Sequence, residues 1–249
     1  MQDSLDKKLG AQVTNWVKPC APSAVSWAKK MLGRHVRLEP LVADLHCKDL
    51  FAAFSEDVKQ EEWTYLPYGP FESAEELATW ITDECNKLDP YFFAIVDQNS
   101  NFAVGIASYL RITPENGSIE VGHVNFSSSL QSTTGATEAM YLMMRWAFQA
   151  GYRRYEWKCN ALNLNSRGAA QRLGFSCEGV FRQAAISKGR NRDTVWFAAI
   201  DAEWPTLQVA FEKWLHPDNF DFAGHQIESL TNLTKPILAK QDPNLISFK

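Results

Sequence analysis

Between Ser118 and Phe126 the chain reads SIEVGHVNF, a strand-like apolar run interrupted by two groups that can move protons, Glu120 and His123. A carboxylate between Ile119 and Val121 is costly to bury unless it is solvated or partnered, and Arg111 and Arg153 are its structural alternatives as ion-pair partners. His123 is the second candidate, and its favoured reading is a hydrogen-bonded, half-buried residue. Strict alternation puts Glu120 and His123 on opposite faces, so both line one site only if a bulge shifts the strand's phase.

Directly after this strand comes SSSLQSTTG and then ATEAMYLMMRWAF. Small and hydroxyl residues at 131–136 open a long helix whose first turn carries no bulky side chain. Free amides there, together with the helix dipole, make a site for phosphate oxygens, although simple capping explains the same residues. A third candidate segment, ALNLNSRGAAQRLGF, follows a strand-like RRYEWKCN and offers Asn163 and Ser166 at a helix start. Cys159 lacks an evident neighbouring base and reads as a small buried hydrophobe.

The elements that must hold these residues can be read from periodicity. HVRLEPL (35–41) alternates as a strand, YFFAIVD (91–97) and FAVGIASYLRI (102–112) are strand-like runs that read as a hairpin, and Leu45, Leu50, Phe51 and Phe54 form a helical stripe. Ser73 and Glu76 make a capping box for a helix running to about Leu88. With 118–126, a helix from Ala136 to about Ala150, strand 153–160, a short helix 166–173 and a closing hairpin 175–201, the order is β α α β β β α β α β β. This is one mixed α/β domain over 34–204. Residues 1–33 read as a loosely packed N-terminal extension, and 205–249 as a C-terminal helix and tail packing on the domain.

Composition narrows the function classes. The 249 residues are 45% hydrophobic and 12% aromatic, enough for a full core and against disorder. Twenty-five Lys+Arg against 29 Asp+Glu argue against a dominant basic surface for nucleic acid. No apolar run is long enough to span a bilayer, and the N-terminus lacks a signal-peptide core. Five scattered cysteines without a C-x-x-C pair argue for reduced thiols, neither a disulfide framework nor a zinc site, and hence for a cytoplasmic protein.

Four segments in order, IEVGHV, QSTTGATEAM, ALNLNSRGAAQRLGF and FRQAAISKGRNRDTVWF, together resemble the GNAT superfamily of acyl-CoA-dependent N-acetyltransferases. The nearest branch is the one with the ribosomal-protein N-terminal acetyltransferases. The resemblance implies a mixed, mostly antiparallel sheet splayed between its fourth and fifth strands, with helices on both faces. It implies acetyl-CoA as cosubstrate, no metal, and a bulge on the fourth strand that brings Glu120 and His123 to one site. The pyrophosphate turn Q/R-x-x-G-x-G/A falls on Gln131, Thr133, Thr134, Gly135 and Ala136, with Thr134 where the first glycine is expected. Asn163 would contact the pantetheine arm, Val124 to Phe126 would line the cofactor and offer an oxyanion donor, and Ser166 or a bound water would stand in for the tyrosine acid that this helix lacks. The implied catalytic set is Glu120 as first base, His123 as second, and Ser166.

On the acceptor side the aromatic loop Trp63–Phe71 supplies Tyr65 and Tyr68, with Tyr109 added to the pocket, while Trp63 and Phe71 read as pinned to the core. Two basic groups, Lys188/Arg190/Arg192 and Arg153/Arg154/Lys158, read as solvated faces, with an anion-binding duty toward the CoA 3′-phosphate or an acidic acceptor as the minority alternative. The expectation is acetyl transfer to a primary amine by direct attack, with a small molecule favoured as acceptor. Its alternatives are a protein N-terminus, a non-catalytic acyl-CoA sensor, and a protein-interaction module built on the tail. Acetyl-CoA and an amine are the expected partners, without nucleic acid or membrane, and a homodimer is admitted as the assembly.

Overall fold

A computed structural model describes residues 10, 12–20, 30–85 and 87–246. Its eight-stranded sheet runs in the order β1-β2-β3-β4-β5-β6-β8-β7. The strands are β1 (Met31–Leu32), β2 (Val36–Pro40), β3 (Tyr91–Asp97), β4 (Ala103–Thr113), β5 (Ser118–Phe126), β6 (Arg154–Asn160), β7 (Ser176–Ser187) and β8 (Arg190–Ile200). Every pairing is antiparallel except β5 with β6.

Helices cover both faces. On one side lie α1 (Ala43–Ser55) and α2 (Ala74–Cys85), and on the other α3 (Thr134–Gln149). Strand β3 shows why its sequence is continuously apolar: Phe93 and Ile95 enter the α3 core, while Phe92, Ala94 and Val96 enter the α1/α2 core. Ser73 caps α2 through its hydroxyl to the Glu76 amide (3.1 Å), and the Glu76 carboxylate returns to the Glu72 amide (2.7 Å).

The turn into β2 is clasped by α3. The buried Glu138 carboxylate accepts from the amides of Arg34, His35 and Val36 at 2.7–2.9 Å. A side chain at Gly33 would fall on that carboxylate, which explains the glycine.

Both chain ends contribute more than loose covering. Met31–Leu32, expected at the end of a loosely packed extension, joins the sheet by pairing with Leu38 and Arg37. The Trp16 indole donates to the Gly151 carbonyl (2.8 Å), while 1–9 and 21–29 of the expected extension lie outside the described residues. At the other end α5 (Trp204–Leu215) buries Leu207, Phe211 and Trp214, and is followed by α6 (Leu230–Thr234) and α7 (Pro243–Ile246). These run beside α4 (Leu164–Arg172), where buried Arg167 meets buried Asp242 in a two-pronged ion pair of 2.5 and 2.7 Å.

Candidate active site

Strands β5 and β6 pair only from Ser118↔Arg154 to Val121↔Trp157. Beyond that register they part, and the rest of β5 and the end of β6 become the walls of a wedge-shaped cleft. Parallel strands normally keep pairing while both continue. Here β5 turns away because it carries a bulge: Gly122 pairs with Ser108 and Asn125 with Ile106, so His123 and Val124 stand opposite the single residue Ala107. His123 takes the left-handed backbone (φ 51°) that this requires.

The bulge brings Glu120 and His123 to the α1/α2 face, as the resemblance implied. They do different work there. Glu120, 3% exposed, receives Arg111 Nη1 at 2.7 Å and Lys158 Nζ at 2.9 Å, so the structural ion pair with Arg111 is present and a second cation joins it. Burial pushes the Glu120 carboxyl up against the pull of those two cations. Lys158 is also held by Glu156 (2.7 Å) and stands 3.7 Å over the Trp196 ring.

His123 stacks on Tyr68 (centroids 5.5 Å, planes 14° apart) and lies 5.2 Å from Phe92. Burial, reinforced by the charge of Arg111, pulls its pKa down to about 4, so the imidazole is neutral at pH 7. Its Nδ1 is buried without a partner among the described residues, as are the Tyr68 hydroxyl and the Asn125 side-chain nitrogen on the same face.

The loop 61–71 roofs this region. Trp63 is buried edge-on against Phe54, Tyr68 and Phe71, as its reading as a pinned residue required. Tyr65 reaches across the cleft, its hydroxyl 3.3 Å from the Leu162 carbonyl ahead of α4. Lys188, at the tip of the β7–β8 hairpin, donates to the Trp63 carbonyl (2.9 Å). Of the three tyrosines expected at the acceptor pocket, Tyr65 and Tyr68 stand at this cleft and Tyr109 does not. Tyr109 pairs with Val121, faces the α3 core, and gives its hydroxyl to the Met143 carbonyl at 2.7 Å. Its place follows from the phase of β4, in which Leu110 and not Tyr109 sits opposite Glu120.

At the far end of β5 the turn 131–136 leads into α3. Thr133 caps the helix, accepting from the Ala136 amide (3.1 Å) while donating to the Leu130 carbonyl (2.7 Å). The Thr134 and Gly135 amides have no protein acceptor among the described residues, which leaves them available to an anion. Gln131 donates to the Phe126 carbonyl (2.8 Å) and to Glu62 (2.6 Å). A cavity of about 400 Å³ opens beside the turn, lined by His35, Asp97, Ser129, Thr133, Thr134 and Gly135 among others, and it does not extend to His123.

On the β6 wall Asn163 caps α4 by accepting from the Ser166 amide (3.0 Å), and the Ser166 hydroxyl accepts from the Trp157 indole (3.0 Å). Cys159 is buried, and burial holds its thiol up at about 11, so it is no thiolate nucleophile. Among the described residues no group of three or more His, Cys, Asp or Glu side chains is gathered as a metal site, and no helix is long and apolar enough to cross a membrane.

One ionisable group at the cleft escaped the reading of the sequence. Glu62 lies half-buried beside Gln131, and burial, with the nearby charge of Asp57, raises its carboxyl to about 7. In the sequence it is one of an acidic pair in a loop, with nothing local to mark it.

Residues 35–176 match the family model for the acetyltransferase (GNAT) domain. Among solved structures, the chain is similar to a GCN5-related N-acetyltransferase from Brucella melitensis, with 42% identity, TM-score 0.85, and 90% of this chain and 100% of that one covered. A GNAT-family protein from Chromobacterium violaceum ATCC 12472 follows at 38% identity and TM-score 0.71, over 78% of this chain and 96% of that one. The ribosomal L7/L12 α-N-protein acetyltransferase shares the fold at 21% identity and TM-score 0.59, over 72% and 98%. No functionally curated protein matches the chain.

Proposed function

Because the chain belongs to the GNAT acetyltransferases, we propose that it moves an acetyl group from acetyl-CoA to the primary amine of a small molecule. The observation that carries this is the parting of β5 from β6 after Val121↔Trp157, next to a helix N-terminus with open amides. A thioester arm laid along β5 from the 131–136 turn would bring its carbonyl toward the bulge, where backbone N–H groups of Val124 to Phe126 can receive a developing oxyanion. Asn163 and Ser166 would flank the same arm from the β6 side.

In this reading the amine enters from the α1/α2 face, under Tyr65 and Tyr68. Its nitrogen attacks the thioester carbon, the C–S bond breaks, and the proton shed by nitrogen passes to His123 and from there to the departing thiolate. His123 serves as the nearby proton acceptor: it is neutral at pH 7, and its Nδ1 is unpartnered. Glu120 holds Arg111 and Lys158 in place rather than acting as base, because both cations compete for its oxygens. The Tyr65–Leu162 and Lys188–Trp63 contacts bridge the acceptor side of the cleft and favour a small acceptor over a protein N-terminus.

The test is product analysis. Purified protein with acetyl-CoA and pooled amino acids, polyamines, aminoglycosides, short peptides and protein lysate is expected to give an acetylated small amine by mass spectrometry. Acetylation confined to lysate proteins would replace the acceptor class. Acetyl-CoA binding without any product would overturn the catalytic reading.

A further inference from the structure

Among the described residues Arg111, Lys158, Lys188 and Arg192 stand on the acceptor side of the cleft, and their partners are unevenly shared. Arg111 is committed to Glu120, and Lys158 to Glu120 and Glu156. The Arg192 side chain has no hydrogen bond or ion pair among the described residues, and its Nε is buried. A guanidinium part-withdrawn from water without a counter-charge costs stability that a ligand anion would return.

Its position follows from the register of β8. Thr194 pairs with Asn160 at the end of β6, while Lys188 at the hairpin tip is tied to Trp63 in the roof. Arg192 lies between these two anchors, on the stretch of chain that crosses the open end of the cleft. Alternation along β8 puts it on the face of Trp196, whose ring carries the Lys158 ammonium. The Arg192 charge is felt by His123 on the β5 wall and by Cys159 on the β6 wall.

We propose that Arg192 receives the carboxylate of the acceptor, so that the amine acetylated is that of a free amino acid or a similarly small amino-carboxylic acid. This rests on the acetyl-transfer reading above and names its substrate class. Arginine suits the task because its planar fork matches a carboxylate with two parallel hydrogen bonds, and one such contact fixes the orientation of a short molecule. Neutralising Arg192 would also remove one of the positive charges that depress His123, making the imidazole a better proton acceptor when the correct acceptor is bound.

The experiment compares amino acids with their amides and their decarboxylated amines, using acetyl-CoA and wild-type, Arg192→Gln and Arg192→Lys proteins. The wild type is expected to favour the free acid by tenfold or more in kcat/KM. In Arg192→Gln that preference should collapse through KM for the acceptor, with Arg192→Lys keeping part of it. A wild-type preference for amides or amines would overturn the assignment while leaving acetyl transfer intact. So would a rise in KM for acetyl-CoA, in place of the acceptor's, in Arg192→Gln. Calorimetric titration of CoA-bound protein with N-acetyl amino acids against N-acetyl amines reads the same contact without turnover. Equal binding of the two by the wild type would sink the proposal even if no amine were acetylated.

Discussion

Replacing Asp242 by Ala should be among the most damaging single changes outside the cleft. Arg167 and Asp242 are 2% and 0% exposed, and the pair is two-pronged, so removal of the carboxylate leaves a guanidinium buried without its counter-charge. Breaking such a pair costs about 3–5 kcal/mol, a large part of the roughly 5–15 kcal/mol that holds a domain folded. The double variant Arg167→Met, Asp242→Leu removes both charges and should recover most of that loss, because the desolvation cost leaves with them. Urea denaturation of the two singles and the double gives the coupling directly. A functional consequence accompanies the structural one. Arg167 Nη1 also holds the Ala161 carbonyl at 2.7 Å, two residues before Asn163, so acetyl-CoA affinity should fall about tenfold in Asp242→Ala, or about 1.4 kcal/mol. A loss below about 1 kcal/mol in the single variant, or no coupling in the cycle, would refute the reasoning.

Three further outcomes are expected. Glu62 titrates at about 7 beside the turn proposed for the diphosphate, and its ionised form repels that anion, so acetyl-CoA should bind more weakly as pH rises from 6 to 8. Calorimetry should find this dependence reduced in Glu62→Gln, and an unchanged slope would remove Glu62 from the cofactor site. Substituting His123 by Ala should lower kcat by about 10²–10⁴ with little change in acetyl-CoA affinity, whereas a loss under threefold would exclude it as proton acceptor. Glu39 is held down at about 2: burial raises its carboxyl, but bonds from Lys30, His46 and Arg37 outweigh it. Its folded pKa is below the unfolded value, so its stabilisation is complete above about pH 4.5 and fades as pH falls toward 2. Acid titration of thermal stability should show that loss diminished in Glu39→Gln, and identical acid curves for both proteins would refute it.

The elements that build the sheet were legible because their periodicity is local. YFFAIVD and SIEVGHVNF read directly as strands, and the hydroxyl-rich run before α3 marked the helix start within about two residues. Sidedness was harder. Tyr109 belongs to the α3 core because it alternates with Ile106 and shares the side of Ala107 on β4. Which side of a strand apolar on both faces meets which helix layer is set by the partner elements rather than by its own sequence. Glu62 and Arg192 illustrate the same limit in chemistry. The partner that marks Glu62 is 69 residues away, and Arg192 is singled out by the partners its neighbours took. Glu120, in contrast, stood out as a lone charge in an apolar strand, and the cost of burying it correctly foretold a partner such as Arg111.

The central claim is that the wedge between β5 and β6 is where acetyl-CoA lies. Amide hydrogen exchange with and without acetyl-CoA tests it directly. Protection is expected at Val124–Phe126, across the 131–136 turn and in the turn leading to α4. Binding that leaves those amides unchanged and protects another surface, such as the pocket of about 360 Å³ between α1 and α2, would contradict the account.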